Sequence, residues 1–496
     1  MSTVSTSAGP TVTETPAITI IGSGFAGLCM AIRLKQSGFD DFVILEKNDA
    51  LGGTWRDNTY PGCACDVPSH MYSYSFELNP DWSRMFAPQQ EIWDYLERCA
   101  GKYGVRGHLR FGRQVDSLEY DDDTARWHIG TGDGEHFVTR AVVSGIGALH
   151  VPSFPDIPGG ERFHGTAFHS AEWDHSYDLT GKRVAVIGTG ASAIQFIPQI
   201  AKTAGRVTVF QRTPPWIHPK PDVEIPERVR TGFRKVPGAA RGFRDSIYWL
   251  LESRALGFTI DPKLMKPHEI LARRHLERQI PDEELRRKVT PDYTIGCKRI
   301  LISSDYYPAL TKDNVDLVTD GIREIREHSV VTADGTEHEV DAIIYGTGFK
   351  VTDALHEQHI VGRQGLKIQD AWRDGIEAYL GITISGFPNF FMLLGPNTGL
   401  GHNSVVFMIE SQVEYVLKCL RLLQRAGADT LDVRPEAQRD FIDRLQRRLG
   451  KLVWNEGGCT SWYLDEKGVN RTIWPGFTWE YWLRTRRPRL ADYRLS

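Results

Sequence analysis

Apolar residues in this chain fall into short unbroken runs that stop at glycine turns. The run "ITII" (18–21) leads into Gly22-Ser-Gly24-Phe-Ala-Gly27, a stretch of small and apolar residues follows, and "FVIL" (42–45) is the next run. Four apolar positions bounded by a turn read as a buried strand, so the order predicts strand, glycine turn, helix and strand. The pattern recurs at "VAVIGTGASAIQFIPQIA" with "VTVF" after it. Between about residues 215 and 295 the chain turns to charged, helix-prone segments without a glycine turn, which predicts a helical insertion. Strands return from Val315, with a hairpin at "ADGTE". The apolar run Ala342–Tyr345 and the turn Gly346-Thr347-Gly348 predict a chain re-entering the first unit. "YLGITISGFPNFFMLLG" predicts two further buried strands, and a helix follows that ends on Gly427. The last part is rich in tryptophan (Trp454, Trp462, Trp474, Trp479, Trp482), and no repeat beyond the two glycine units is visible.

Each turn has the spacing of a dinucleotide fingerprint. In the first, Gly22 allows the tight turn, Gly24 lets a pyrophosphate approach, and Gly27 permits close helix packing. Glu46 ends the next strand 19 residues later, placed for ribose hydroxyls. The second turn carries Gly188, Gly190 and Ala193, but its following strand ends in Gln211 and Arg212. A carboxylate there repels a 2′-phosphate and an arginine attracts it. The first site thus suits a dinucleotide with an unphosphorylated ribose, and the second NADP(H). The fold class expected is α/β, with two Rossmann-like dinucleotide-binding domains and a helical insertion in the NADP domain. The boundaries are a disordered tail over 1–16, an FAD-binding domain over 17–150 and 342–496, and an NADP-binding domain over 151–341.

Composition narrows the function without naming it. With 496 residues, 41% hydrophobic and 25% charged, the chain has ample core for several domains. A net charge of -4 gives no reason to expect nucleic acid or an anionic membrane surface as partner. The start, "MSTVSTSAGPTVTETP", lacks the charged and apolar regions of a signal peptide. The seven cysteines are scattered, with no CxxC pair, so neither a metal site nor a disulfide framework is expected, and a reducing cytoplasm is.

One stretch fits none of this. "FHGTAFHSAEWD" (163–174) follows no clean period of 2 or 3.6 and reads as neither helix nor strand. Its Phe163-x-Gly165-x-x-x-His169-x-x-x-Trp173-Asp174 resembles, at every fixed position, the fingerprint of the Baeyer–Villiger monooxygenases. A second long pattern of that family is similar to "GGTWRDNTYPGCACD", where Gly53, Trp55, Tyr60, Pro61, Gly62 and Asp66 fall in place. The resemblance covers nearly the whole chain, through to the Lys-Arg pair in "GCKRILISSDYY". It departs at Gly346, where many members have alanine before the late Thr-Gly turn.

The resemblance implies FAD, NADPH and O2 as cofactors and co-substrate, and a small-molecule ketone converted to an ester or lactone. It implies that a flavin peroxide must stay deprotonated to attack the carbonyl. By position, Arg299 is the cation that holds that charge and Asp66 the carboxylate that orients it. Gly53, Thr54 and Trp55 would lie with the flavin nucleotide, and Lys298 with Arg212 and Thr213 at the 2′-phosphate. Phe163, Gly165, His169, Trp173 and Asp174 would couple NADP binding to domain posture, with Gly165 as a hinge and His169 a positioner, neither base nor metal ligand. The nearest rival is a flavin N- or S-oxygenating monooxygenase. A flavin disulfide reductase is disfavoured by the missing CxxC pair, and a non-enzymatic NADP(H) sensor by the complete second pattern. The identity of the ketone and the oligomeric state stay open.

Overall fold

The computed structural model describes residues 12–351, 358–459 and 461–496. Two five-stranded parallel sheets organise it. In the first, Ile18–Ile21 lies between Phe42–Leu45 and Ala141–Ser144, with Leu109–Arg110 and Phe390–Met392 at the edges. In the second, Arg183–Ile187 lies between Arg206–Phe210 and Ala342–Tyr345, with Val315–Val318 and Thr166–His169 outermost. Parallel strands are covered on both faces, and the central runs are accordingly buried almost throughout. Each sheet carries an antiparallel attachment: Val115–Asp121, Arg126–Thr131 and His136–Thr139, joined by His359–Val361, for the first, and Ile322–Ile325, Ser329–Thr332 and Glu337–Glu339 for the second.

The insertion holds the helices Glu227–Lys235, Ala239–Thr259, Lys266–Gln279 and Glu283–Lys288. It is closed at its neck by Ile217–His218 pairing with Leu301–Ile302. The late helix is Val405–Ala426, ended by Gly427 in the left-handed conformation (φ 60°). No helix among the described residues is long and apolar enough to cross a membrane.

Four expectations are corrected. Ala342–Tyr345 does not return to the first unit: it pairs with Arg183–Ile187 on one side and Thr166–His169 on the other. Asp341, just before it, fixes this docking by accepting from the Arg183 backbone N–H at 2.8 Å and pairing with its guanidinium at 2.7 Å. The stretch 163–174 contains a strand after all, Thr166–His169, at the edge of that same sheet. An edge strand with one partner needs no clean alternation, and its burial runs from partial to complete within four residues. Of the tail expected over 1–16, residues 1–11 lie outside the described residues. Thr13 and Glu14, however, are tied down, with Thr13 N–H donating to His136 at 2.7 Å and Glu14 pairing with Arg110 at 2.6 Å. Lastly, Cys297 and Cys459 form a disulfide across 162 positions, while the other five cysteines are free and buried. Contact at that separation is set by the fold and leaves no spacing signature, so the cysteine pattern carries no argument about compartment.

Candidate active site

At the first turn, the helix Phe25–Gln36 begins at Gly24 with no side-chain cap and no acid in its first turn. Its buried N-terminal N–H groups are left for an anion, which is how a glycine turn holds a pyrophosphate. Gly53 crosses directly over Gly24: a Cβ on Gly24 would lie 3.6 Å from the Gly53 Cα. The trough is thus walled by backbone, and Thr54 and Trp55 open a short helix at its end. Trp55 donates its ring N–H to the Tyr72 hydroxyl at 3.0 Å. Glu46 is buried and accepts from the Ser23 N–H (2.9 Å) and hydroxyl (2.7 Å). It therefore stands beside the turn with its orientation set. These features fit FAD with its adenosine ribose at Glu46.

The second turn is closed the same way. A Cβ on Gly188 would meet the Gly346 carbonyl at 2.5 Å, as one on Gly22 would meet the Gly145 carbonyl at 2.9 Å. The runs "AVVSGIG" (141–147) and "AIIYGTG" (342–348) are matching strands, each paired in parallel with the strand that leads into its unit's glycine turn. That likeness is the signal by which Ala342–Tyr345 was assignable to the second sheet. The helix Ala193–Ile200 is again uncapped and free of acid in its first turn. Ala193, in place of a third glycine, faces Gly346, where an added Cβ would come 3.0 Å from that of Ala193. Arg212 is exposed and has no ion-pair partner among the described residues. Burial, and then the charge of Arg212, hold the Lys298 pKa below its usual value. The two cations thus lie near enough to feel each other's charge, an arrangement that suits a dianion. Thr213 follows Arg212 directly in the chain, and Gly190 belongs to the second turn itself.

Arg299 and Asp66, 233 positions apart, meet side by side: Nε donates to Asp66 Oδ2 at 2.9 Å and Nη2 to the same oxygen at 2.6 Å. Their side chains keep 33% and 27% of their surface exposed, so the pair is neither sealed nor fully solvated. The carboxylate raises the arginine's pKa further above its already high value, and Arg299 is a permanent cation. Tyr463 belongs to the same electrostatic cluster, its own pKa pushed up to about 12 chiefly by burial.

The segment that carries Asp66 is clamped to the second unit. Gly62 (φ +81°) passes so close to the helix Ala193–Ile200 that a Cβ would meet the Gln195 carbonyl at 2.9 Å. Gln195 accepts from the Tyr60 hydroxyl (3.0 Å) and the Ala64 N–H (3.2 Å), and donates to the Ala64 carbonyl (3.0 Å). Gln195→Ala strands these groups and is expected to destabilise the FAD-loaded protein by about 1–3 kcal/mol. Urea unfolding followed by flavin fluorescence checks this, and an unchanged midpoint would remove the clamp from the account.

The linker fingerprint reaches the same helix. Trp173 packs on Phe196 at 5.3 Å between ring centroids and edge-on to Phe168 at 5.1 Å, and Tyr60 meets Phe196 from another side at 6.0 Å. His175 is bonded to the Thr59 hydroxyl at 2.7 Å. His169 is fully buried between the rings of Phe154 and Phe349, accepts from the Ala171 N–H at 3.1 Å, and has its pKa lowered by burial. It is a neutral, packed ring. Gly165 is needed because a Cβ there would run into the Asp341 carbonyl and the Phe163 ring. Close packing, not a positive φ, calls for glycine. Asp174 closes a turn by accepting from the Ser176 N–H and hydroxyl at 2.9 and 2.6 Å.

Known proteins agree with this geometry. A family model described as pyridine nucleotide-disulphide oxidoreductase matches residues 19–236. A Baeyer–Villiger monooxygenase of Pseudomonas aeruginosa is 51% identical over 494 residues, 99% of this chain and 94% of the relative. The chain belongs to the Baeyer–Villiger monooxygenases. A Streptomyces coelicolor member is 50% identical over 96% of the chain and 92% of its own length. Among solved structures, an oxidized steroid monooxygenase bound to NADP matches with a TM-score of 0.86 at 30% identity, covering 97% of this chain and 99% of that one. A cyclohexanone monooxygenase from Rhodococcus bound to NADP+ also reaches 0.86, at 28% identity, again covering 97% and 99%.

As a Baeyer–Villiger monooxygenase the chain uses FAD and NADPH, and its two sheets are the corresponding dinucleotide units. Sequence reasoning missed Gln195 and Tyr463 beside the candidate site, and a buried carboxylate that ties the insertion to the last part of the chain. Gln195 sits in an ordinary amphipathic helix, and nothing local marks it as a clamp. Tyr463 lies in the tryptophan-rich tail, 164 positions from Arg299. The buried Glu252 of the insertion accepts from Asn403 at 2.7 Å and from the Thr478 N–H and hydroxyl at 2.6 and 2.8 Å, which ties three distant segments together.

Proposed function

We propose that Arg299, oriented by Asp66, is the catalytic cation of this monooxygenase, and that Arg212, Thr213 and Lys298 select NADPH. The reading rests on one observation above all: a permanently charged, partly exposed guanidinium held in a fixed plane by a carboxylate. Bound in the first trough, FAD supplies the electron acceptance and oxygen activation that insert one oxygen beside a ketone carbonyl. Arg299 supplies what the cofactor lacks. Its charge stabilises anionic oxygen as it attacks, and it cannot release a proton that would quench the nucleophile. Asp66 takes up two of the guanidinium's donors and leaves the remaining N–H groups to face the reacting centre. Glu46 holds the adenosine ribose of FAD, and the uncapped helix N-termini hold the two pyrophosphates. The linker residues Phe163, Gly165, His169, Trp173 and Asp174 transmit the state of the second turn to Asp66 through Phe196, Gln195 and Tyr60. The substrate is a ketone, and the product an ester or lactone.

The test follows NADPH consumption under O2 with and without a panel of cyclic and linear ketones. Ketone-dependent ester formation that matches the NADPH consumed is expected. Quantitative conversion to hydrogen peroxide with every ketone, alongside oxygenation of amines or sulfides, would refute ketone insertion.

A further inference from the structure

His164, Glu327 and His328 stand together on the surface of the second unit, and neither the dinucleotide chemistry nor the packing of the linker uses them. Glu327 and His328 form the two-residue tip of the hairpin between Ile322–Ile325 and Ser329–Thr332, closed by Arg326 N–H donating to Ser329 at 2.8 Å. Both tip carbonyls are held. The Glu327 carbonyl accepts from the His164 N–H at 2.9 Å, and the His328 carbonyl from the Val340 N–H at 2.9 Å. The bond that pins Glu327 also draws His164 onto the tip. The two imidazoles lie edge to face, 5.3 Å between centroids, and one ligand atom from each of the three residues falls within 4.8 Å of the others. All three side chains are exposed, and among the described residues none of them makes a hydrogen bond or ion pair. The neighbouring cation is already taken: Arg326 pairs with Glu324 at 2.9 Å and Glu337 at 3.1 Å.

Two imidazole nitrogens and one carboxylate oxygen form the donor set of borderline divalent cations. Calcium and magnesium want all-oxygen shells, and soft monovalent copper wants sulfur. We propose that His164, Glu327 and His328 bind a divalent cation of the zinc class, with water as fourth ligand. Tetrahedral zinc at about 2.0–2.1 Å from its ligands needs donor atoms about 3.3 Å apart. Rotation of exposed side chains on pinned backbone closes that gap from the present spread. The ion joins residues 163 positions apart, so it binds the folded chain and not the unfolded one, and it must raise stability. It staples the start of the Phe163–Asp174 linker to the hairpin.

The experiment titrates untagged, chelator-stripped FAD holoenzyme with Zn2+ by calorimetry near pH 7.5, and with Co2+ to read coordination from its visible spectrum. One saturable site with a tetrahedral cobalt spectrum is expected. His164→Ala and His328→Ala should each weaken it at least about 10- to 100-fold, the loss that even an outer-shell partner brings. Zn2+ should raise the unfolding midpoint of the parent but not of either variant, whose midpoints without metal stay at the parental value. Binding should weaken as acid is added, because protons and the ion compete for the same imidazole nitrogens. The chain has a competing histidine pair, His128 Nδ1 and His136 Nε2, 3.3 Å apart on the other antiparallel sheet. Loss of the site in His136→Ala, indifference to His164→Ala and His328→Ala, or no saturable binding at all would each overturn the proposal.

Discussion

Arg299→Ala is expected to retain FAD and lose ester formation by about two to three decades in rate, the usual loss when a charged stabiliser of developing anionic oxygen is removed. Among the described residues the guanidinium's hydrogen-bond partner is Asp66 and not the trough made by Gly22, Gly24 and Gly53, so the purified variant should be as yellow as the parent. NADPH oxidation that persists should end in hydrogen peroxide. Reduction of the flavin should slow as well, because a fixed positive charge nearby also favours its anionic reduced form. Asp66 then stands without its cation, and its carboxylate adds to the penalty by repelling negative charge. Arg299→Lys should rescue poorly: an ammonium cannot span Asp66 and the reacting centre with a planar fork, and it can donate a proton. Product analysis by gas chromatography beside a peroxide assay separates the outcomes. Ester formation at a near-parental rate in the alanine variant would make Arg299 a structural residue.

The second large effect concerns coenzyme choice. Arg212→Ala should raise KM for NADPH about 10- to 100-fold, the value of one charge-assisted bond to phosphate, and should leave KM for NADH nearly unchanged. Lys298 complicates the arithmetic in a useful way. Burial first and then the charge of Arg212 lower the Lys298 pKa, so the two side chains are coupled. The double variant should therefore lose less than the product of the two single losses. Steady-state kinetics with both coenzymes across the four proteins decides it. Equal losses for NADPH and NADH would place the phosphate elsewhere.

What could be read in advance follows from the range of the interactions involved. Gly22, Gly24, Gly27 and Glu46 act within one strand–turn–helix–strand unit, and their spacing is the geometry. The place of Arg212, at the end of the strand that follows the second turn, is legible for the same reason. Arg299 and Asp66 follow from resemblance alone, since no local pattern brings together residues 233 positions apart. The run Ala342–Tyr345 was misassigned because a four-residue apolar strand ending in a glycine turn serves either parallel sheet equally well. Only its match to "AVVSGIG" distinguishes the two. Cys297 with Cys459, and His164 with Glu327 and His328, depend on tertiary approach across about a third of the chain, where spacing carries no information.

The shared closure of the two units, Gly145 over Gly22 and Gly346 over Gly188, has an ancestral implication. Two copies of one module can diverge in ligand without re-inventing their architecture if the discriminating position lies outside the parts that must fit. Here that position is a strand end: Glu46 in one copy, Gln211 and Arg212 in the other. Everything that makes the turn, the uncapped helix and the closing glycine can then remain under the same selection while one side chain drifts from a ribose to a phosphate.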